Sequence, residues 1–182
     1  MKLFVVYSTV EGQTQKIARF MEEVLQEEGH EVTIADATFA VSPEGYDAIL
    51  IGSSIHIHKY NNPGRKYVRK YADVIRNMPN GFFTVCLAAA SDLVEEHEEA
   101  AGIAEDFFKE TDWKPQMHIL IPGALKYTQY GFLKKFILKR IAKKEGLSTD
   151  TTRDHEFTDW DAVRGFALAF SDKIQSVAKP AL

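Results

Sequence analysis

One cysteine, Cys86, is present among 182 residues, which excludes an intramolecular disulfide and any paired-thiol metal or redox site. A reducing, cytosolic setting is the expectation. Long apolar runs are lacking too: the stretch from Phe82 to Ala90 is broken by Thr84 and is half the roughly 18–20 residues that a membrane-spanning helix requires. The start of the chain, Met1 to Tyr7, is too short an apolar stretch for a secretory leader, so no targeting segment is expected. Internal repeats and low-complexity linkers are missing. The length suits a single domain over residues 1–182, able to bury a core without disulfides or a structural metal.

Acidic residues are absent from one segment. Lys126 to Lys144 holds seven of the 22 basic residues, and the rest of the chain sets 15 basic residues against all 26 acidic ones. The formal net charge of −4 therefore averages an acidic body with a concentrated basic insertion.

Short apolar runs alternate with helical patterns. Leu3 to Tyr7, Glu31 to Ala35, Ala48 to Gly52, Phe82 to Ala89 and Met117 to Ala124 read as strands. Helical spacing follows from Thr14 to the stop at Gly29, from Pro63 to Arg76, from Glu95 to Glu110 and from Asp159 to Val177. Strands that are apolar throughout, separated by amphipathic helices, require a parallel sheet covered on both faces. The expected fold class is thus α/β, a doubly wound five-stranded parallel sheet in the order 2-1-3-4-5. Its ligand sites lie beyond the carboxyl ends of the strands.

The loop after the first strand, Ser8-Thr9-Val10-Glu11-Gly12-Gln13-Thr14, contains hydroxyls and one glycine but no lysine or arginine. Helix-terminal N–H groups with Ser8, Thr9 and Thr14 make a neutral phosphate cradle, although ordinary N-capping would use the same residue types. A dinucleotide fingerprint lacks two of its three glycines here, and the Gly-Lys-Ser/Thr of a P-loop is absent. A phospho-acceptor receiver would need carboxylates where Tyr7-Ser8 and Gly52-Ser53 stand. A mononucleotide phosphate remains.

Thr9-Val10-Glu11-Gly12-Gln13-Thr14 resembles the FMN-phosphate loop of the flavodoxin superfamily, with Glu11 where Thr or Asp is usual. Gly52-Ser53-Ser54-Ile55-His56-Ile57-His58-Lys59-Tyr60, Pro122-Gly123-Ala124-Leu125-Lys126-Tyr127, Thr149-Asp150-Thr151 and Thr158-Asp159-Trp160 extend the likeness along essentially the whole chain. Together they resemble the bacterial quinone-dependent protoporphyrinogen IX dehydrogenases, a flavodoxin-like FMN family. The resemblance implies an FMN enzyme of haem biosynthesis that oxidises protoporphyrinogen IX and passes electrons to menaquinone or another quinone. It implies FMN contacts at Ser8, Thr9, Glu11, Gly12, Gln13 and Thr14. It places Ser53, Ser54, Ile55 and His56 against the ring or ribityl chain, and Ala89, Ala90 and Ser91 at the pyrimidine edge. No residue stands out as a general base. His56 and His58 have no further metal ligand beside them, so no metal site is expected.

About 30 residues, 125–154, exceed what a minimal flavodoxin-like fold needs. Within them Phe132, Leu133, Phe136, Ile137 and Ile141 share one helical sector, and Lys135, Lys139, Arg140 and Lys143 lie around the other. This pattern suits an interfacial helix drawn to anionic lipid, with an insertion packed on the domain and its lysines solvated as the alternative. Tyr127, Tyr130, Phe132, Lys134, Lys135, Phe136, Lys139 and Arg140 are the candidate membrane or substrate contacts. The expected location is the cytoplasm, peripheral on the inner face of the cell membrane. Nucleic acid is not an expected partner, because the acidic body repels phosphate. A flavodoxin-type electron carrier and an NAD(P)H:quinone reductase are the alternative readings.

Overall fold

Leu3, Val5 and Tyr7 project to one side of the first strand and Phe4 and Val6 to the other, and all five are buried in two separate cores. Burial on both faces explains why this strand is apolar without alternation. The computed structural model describes residues 1–129 and 150–178. Its principal sheet contains β1 (Lys2–Ser8), β2 (Glu31–Asp36), β3 (Ala48–His56), β5 (Asn80–Cys86) and β6 (His118–Pro122), in the order β2-β1-β3-β5-β6 and parallel throughout. Counting principal strands alone, this is the expected 2-1-3-4-5 order. β4 (Lys59–Tyr60) folds back antiparallel on β3, and β7 (Ala124–Leu125) pairs with β8 (His155–Glu156) as a separate ribbon.

Among the described residues, four helices cover the sheet: α1 (Gln13–Glu27), α2 (Asn62–Arg76), α3 (Val94–Glu110) and α4 (Trp160–Ala178). Ile17, Ala18, Met21, Val24 and Leu25 form the buried stripe of α1, and Val163, Phe166, Ala167, Phe170 and Ile174 that of α4. Each large aliphatic or aromatic side chain so buried contributes about 1.5–3 kcal/mol. Gly29, at φ +82°, ends the α1 segment in a left-handed conformation that suits glycine. On the other face α2 and α3 pack Tyr67, Val68, Ile75, Phe107 and Phe108 over Phe4, Ile49 and Phe82. Among the described residues, no helix is long and apolar enough to cross a membrane.

Three strands end two or more residues away from the sequence reading. β3 continues past Gly52 to His56 because Ile55 and His56 pair with Tyr60 and Lys59. β5 stops at Cys86, and Ala88–Ala90 form a single 3-10 turn. The fifth principal strand ends at Pro122, and the chain then turns at Gly123 into the β7–β8 ribbon. That ribbon is the base of the insertion, where Asp154 Oδ1 accepts hydrogen bonds from Thr128 N at 2.9 Å and Thr128 Oγ1 at 2.8 Å. The expected contacts at Tyr130, Phe132, Lys134, Lys135, Phe136, Lys139 and Arg140 lie outside the described residues.

Candidate functional site

The loops after β1, β3 and β5 converge at the carboxyl edge, and hydrogen bonding sorts their hydroxyls into two classes. Ser8 and Ser53 sit side by side in register on adjacent strands, and both hydroxyls donate to Asn61 Oδ1, from Ser53 at 3.3 Å. Ser8 Oγ also accepts from Gly64 N at 3.0 Å. The absence of a side chain at Gly64 permits this approach, since a Cβ there would lie 3.0 Å from Ser8 Cβ and 3.2 Å from Ser53 Oγ. These two serines therefore fasten the start of α2 to the sheet.

Thr9 acts within its own loop, where its Oγ1 accepts from Gly12 N at 2.9 Å and draws the chain into a tight turn. Gly12 takes φ +87° at the entrance to α1, where an L side chain would be strained. Gln13 and Thr14 follow in the first turn, both buried. Thr14 Oγ1, Gln13 Oε1 and, near the end of β3, Ser54 Oγ are buried with no hydrogen-bond partner among the described residues. Orphaned polar atoms of this kind disfavour a fold by about 1–3 kcal/mol each unless a ligand satisfies them. Two of the three stand at a helix N-terminus, where unpaired N–H groups and the helix dipole favour an anion. The residues present fit the phosphate and polyol chain of a mononucleotide, held by neutral donors.

The Gln13 amide also reaches outward. Its Nε2 donates to Thr158 Oγ1 at 2.9 Å, and Thr158 Oγ1 donates to Pro122 O at 2.8 Å. Beside it Lys16 Nζ meets Glu156 Oε2 at 2.6 Å, and Trp160 Nε1 donates to Glu156 Oε1 at 2.9 Å. Burial works to raise the Glu156 carboxyl, but the bonds from Lys16 and Trp160 outweigh it and hold the group below its ordinary value. The base of the insertion is thereby tied to the first turns of α1.

Ile55 is half-buried against the α2–α3 core, and His56 is half-buried where β3 pairs with β4. Ile57 and His58 form the two-residue turn between those strands, with φ of +50° and +57°. Positive φ at both positions marks the primed hairpin turn that usually takes Asn-Gly. His58 Nδ1 contacts Glu99 Oε1 at 2.6 Å, which draws the hairpin tip to α3. From beneath, Tyr60 Oη and Thr84 Oγ1 are 2.6 Å apart, and Thr84 Oγ1 lies 2.8 Å from His118 Nε2. Burial pushes the Tyr60 phenol well above its usual range and brings His118 down to about 4.

Ala89 and Ala90 form the half-buried turn after β5, while the Ser91 hydroxyl accepts from Leu93 N at 3.2 Å and shapes the entrance to α3. Glu11 is partly exposed at the lip of the first loop. Tyr127 corrects the sequence expectation of a membrane or substrate contact. It is fully buried, packed with Leu125 against Leu87 and Phe157. Sequence reasoning missed Asn61 and Thr158. Asn61 precedes a helix-opening proline, and Thr158 precedes the capping residue Asp159, so both pattern as caps. Their partners, Ser8 and Gln13, are remote in sequence.

The family described as Flavodoxin domain matches residues 4–152. A protoporphyrinogen IX dehydrogenase [quinone] of Escherichia coli (strain K12) is 32% identical over 169 residues, covering 92% of this chain and 93% of the relative. A protein of the same name from Leishmania major is 30% identical over 175 residues, covering 93% of this chain and 74% of that one. Oxidised flavodoxin 1 from Bacillus cereus superposes with a TM-score of 0.56 at 14% identity, over 97% of this chain and 98% of that chain. Sequence likeness spans both the phosphate loop and the base of the insertion, and the chain belongs to the flavodoxin superfamily and, within it, to the family of the protoporphyrinogen IX dehydrogenases [quinone].

Proposed function

We propose that this chain binds FMN at the carboxyl edge of its sheet and oxidises protoporphyrinogen IX to protoporphyrin IX, with menaquinone or another quinone as electron acceptor. The carrying observation is the Thr14 hydroxyl near left-handed Gly12 at the head of α1, a buried donor without a partner among the described residues that a bound phosphate would satisfy. Gly12, Gln13 and Thr14 would hold the phosphate, with Thr9 shaping the turn and Ser54 available to the ribityl chain. The β3–β4 hairpin and the Ala89–Ser91 turn would flank the ring. Bound flavin supplies the transfer of hydrogen and electrons between the macrocycle and the quinone. The protein's own contribution is positioning, because Asn61, Thr84 and Glu99 fix the hairpin from below and from the side. Each hydrogen pair that leaves the macrocycle leaves the enzyme on the reduced quinone, so the reaction balances.

The concentration of positive charge in Lys126 to Lys144 supports peripheral binding to the cytoplasmic face of an anionic membrane, where a lipid quinone resides. The test mixes FMN-loaded protein anaerobically with protoporphyrinogen IX and a soluble menaquinone analogue and follows porphyrin emission. A quinone-dependent rise above the autoxidation rate supports the assignment. A flat trace overturns it in favour of an electron carrier.

A further inference from the structure

The exposed large apolar side chains among the described residues are unevenly placed. Val10, Phe39, Val41, Ile57 and Leu93 lie in connections that follow the carboxyl ends of strands, Val94 opens α3 beside Leu93, and only Met1 and Val177 lie elsewhere. Ile57 is the extreme case, 91% exposed at the tip of the β3–β4 hairpin. Its φ of +50° is a conformation that β-branched residues avoid, and the primed turn it occupies favours asparagine or glycine. Isoleucine is thus unfavourable here twice over, once for its backbone and once for its solvation. The hairpin nevertheless keeps this geometry because it is pinned at Tyr60 by Thr84 and at His58 by Glu99, each at 2.6 Å. The second pin brings the tip to the amino-terminal half of α3, where Leu93 and Val94 are also exposed. Strain retained at a site points to a role that offsets it.

We infer that Ile57 is a specificity-determining contact for the flat, apolar ring of a reactant. The inference depends on the proposed flavin reaction, in which both the tetrapyrrole donor and the quinone acceptor offer such a ring.

Two substitutions separate this role from a structural one. Ile57→Asn gives the turn a residue it favours and removes the apolar contact, whereas Ile57→Leu keeps the contact. For Ile57→Asn the expected results are a melting temperature raised by about 2–4 °C and, at saturating FMN, a KM raised about tenfold for one reactant. A rise for protoporphyrinogen IX identifies the donor ring, and a rise for the menaquinone analogue identifies the acceptor. Ile57→Leu should hold that KM near the wild-type value. A lowered melting temperature in Ile57→Asn, or two unchanged KM values, overturns the inference. Should wild type show no turnover, the proposed reaction fails. Ile57 is then read by binding, with protoporphyrin IX titrated by its emission and menadione by competition; identical curves for wild type and Ile57→Asn overturn the contact itself.

Discussion

Gln13 and Thr158, 145 residues apart, are joined by a 2.9 Å hydrogen bond from the Gln13 amide. The bond links the first turn of α1 to the segment between β8 and α4, and Thr158 donates its own proton to Pro122 O at the end of β6. The phosphate loop and the base of the insertion are consequently one hydrogen-bonded unit. Thr158→Val keeps the side chain's shape and removes both bonds. The expected outcome is a loss of about 1–2 kcal/mol in urea unfolding and a weakening of FMN binding by about threefold to tenfold in a fluorescence titration. Unchanged FMN affinity would show that the loop holds its shape without the tether.

The two classes of hydroxyl at the carboxyl edge should respond oppositely to removal. Thr14 Oγ1 is buried without a partner, so Thr14→Val deletes an orphan and should leave the FMN-free protein as stable as wild type or more so, by up to about 1 kcal/mol. FMN affinity should fall about tenfold or more. Ser8 Oγ is bonded to Asn61 and Gly64, so Ser8→Ala should destabilise the FMN-free protein by about 1–2 kcal/mol. Paired chemical denaturation and FMN titrations of the two variants decide this; a Thr14→Val protein that unfolds more easily and binds FMN normally would reverse the assignment.

What the sequence disclosed and what it hid follow from the range of the interactions. Apolar strands between amphipathic helices were readable because burial on both faces leaves a mark on every residue of β1 from Leu3 to Tyr7. The end of β3 was not, since Ser53 and Ser54 interrupt the apolar run and Ile57-His58 carries none of the Asn-Gly signal of a two-residue hairpin. The hydroxyl-rich loop before α1 was evident, yet which hydroxyls are committed to structure depends on Asn61, 53 residues beyond Ser8. Tyr127 beside the basic run looked like a surface anchor, and its burial depends on Leu87 and Phe157, which lie 30 or more residues away in the sequence.

Acid should loosen the fold through two histidines. Burial lowers His30, whose Nε2 lies 2.8 Å from Ser171 Oγ between the α1–β2 connection and α4, and burial brings His118 down to about 4. Both are neutral in the folded protein, while in the unfolded chain they titrate near the ordinary value of about 6.5. The unfolded state therefore binds more protons below that pH. Stability should be complete above pH of about 6.5 and decline as the pH falls toward 4. Urea midpoints measured at intervals from pH 7.5 to 4.5 check the slope, and His118→Gln should flatten it over the same window.

Gly52 offers a test of how the sheet supports the site. A Cβ at this position would lie 2.0 Å from Phe83 Cζ, so the phenyl ring of β5 occupies the space that a side chain on β3 would need. Phe83 belongs to the buried core beneath α1 and α4 and cannot swing outward. Gly52→Ala should destabilise the protein by about 3 kcal/mol, and it should also weaken FMN binding, because β3 carries the wedge directly to Ser54 and the hairpin two and more residues onward. Phe83→Leu alone opens a void and costs about 1–3 kcal/mol. In the double variant the new methyl fills part of that void, so the combined loss should fall short of additive by about 1–2 kcal/mol. Strict additivity in a denaturation double-mutant cycle would mean that the strands separate to accept alanine, and the FMN affinity of the double variant would then remain as poor as that of Gly52→Ala.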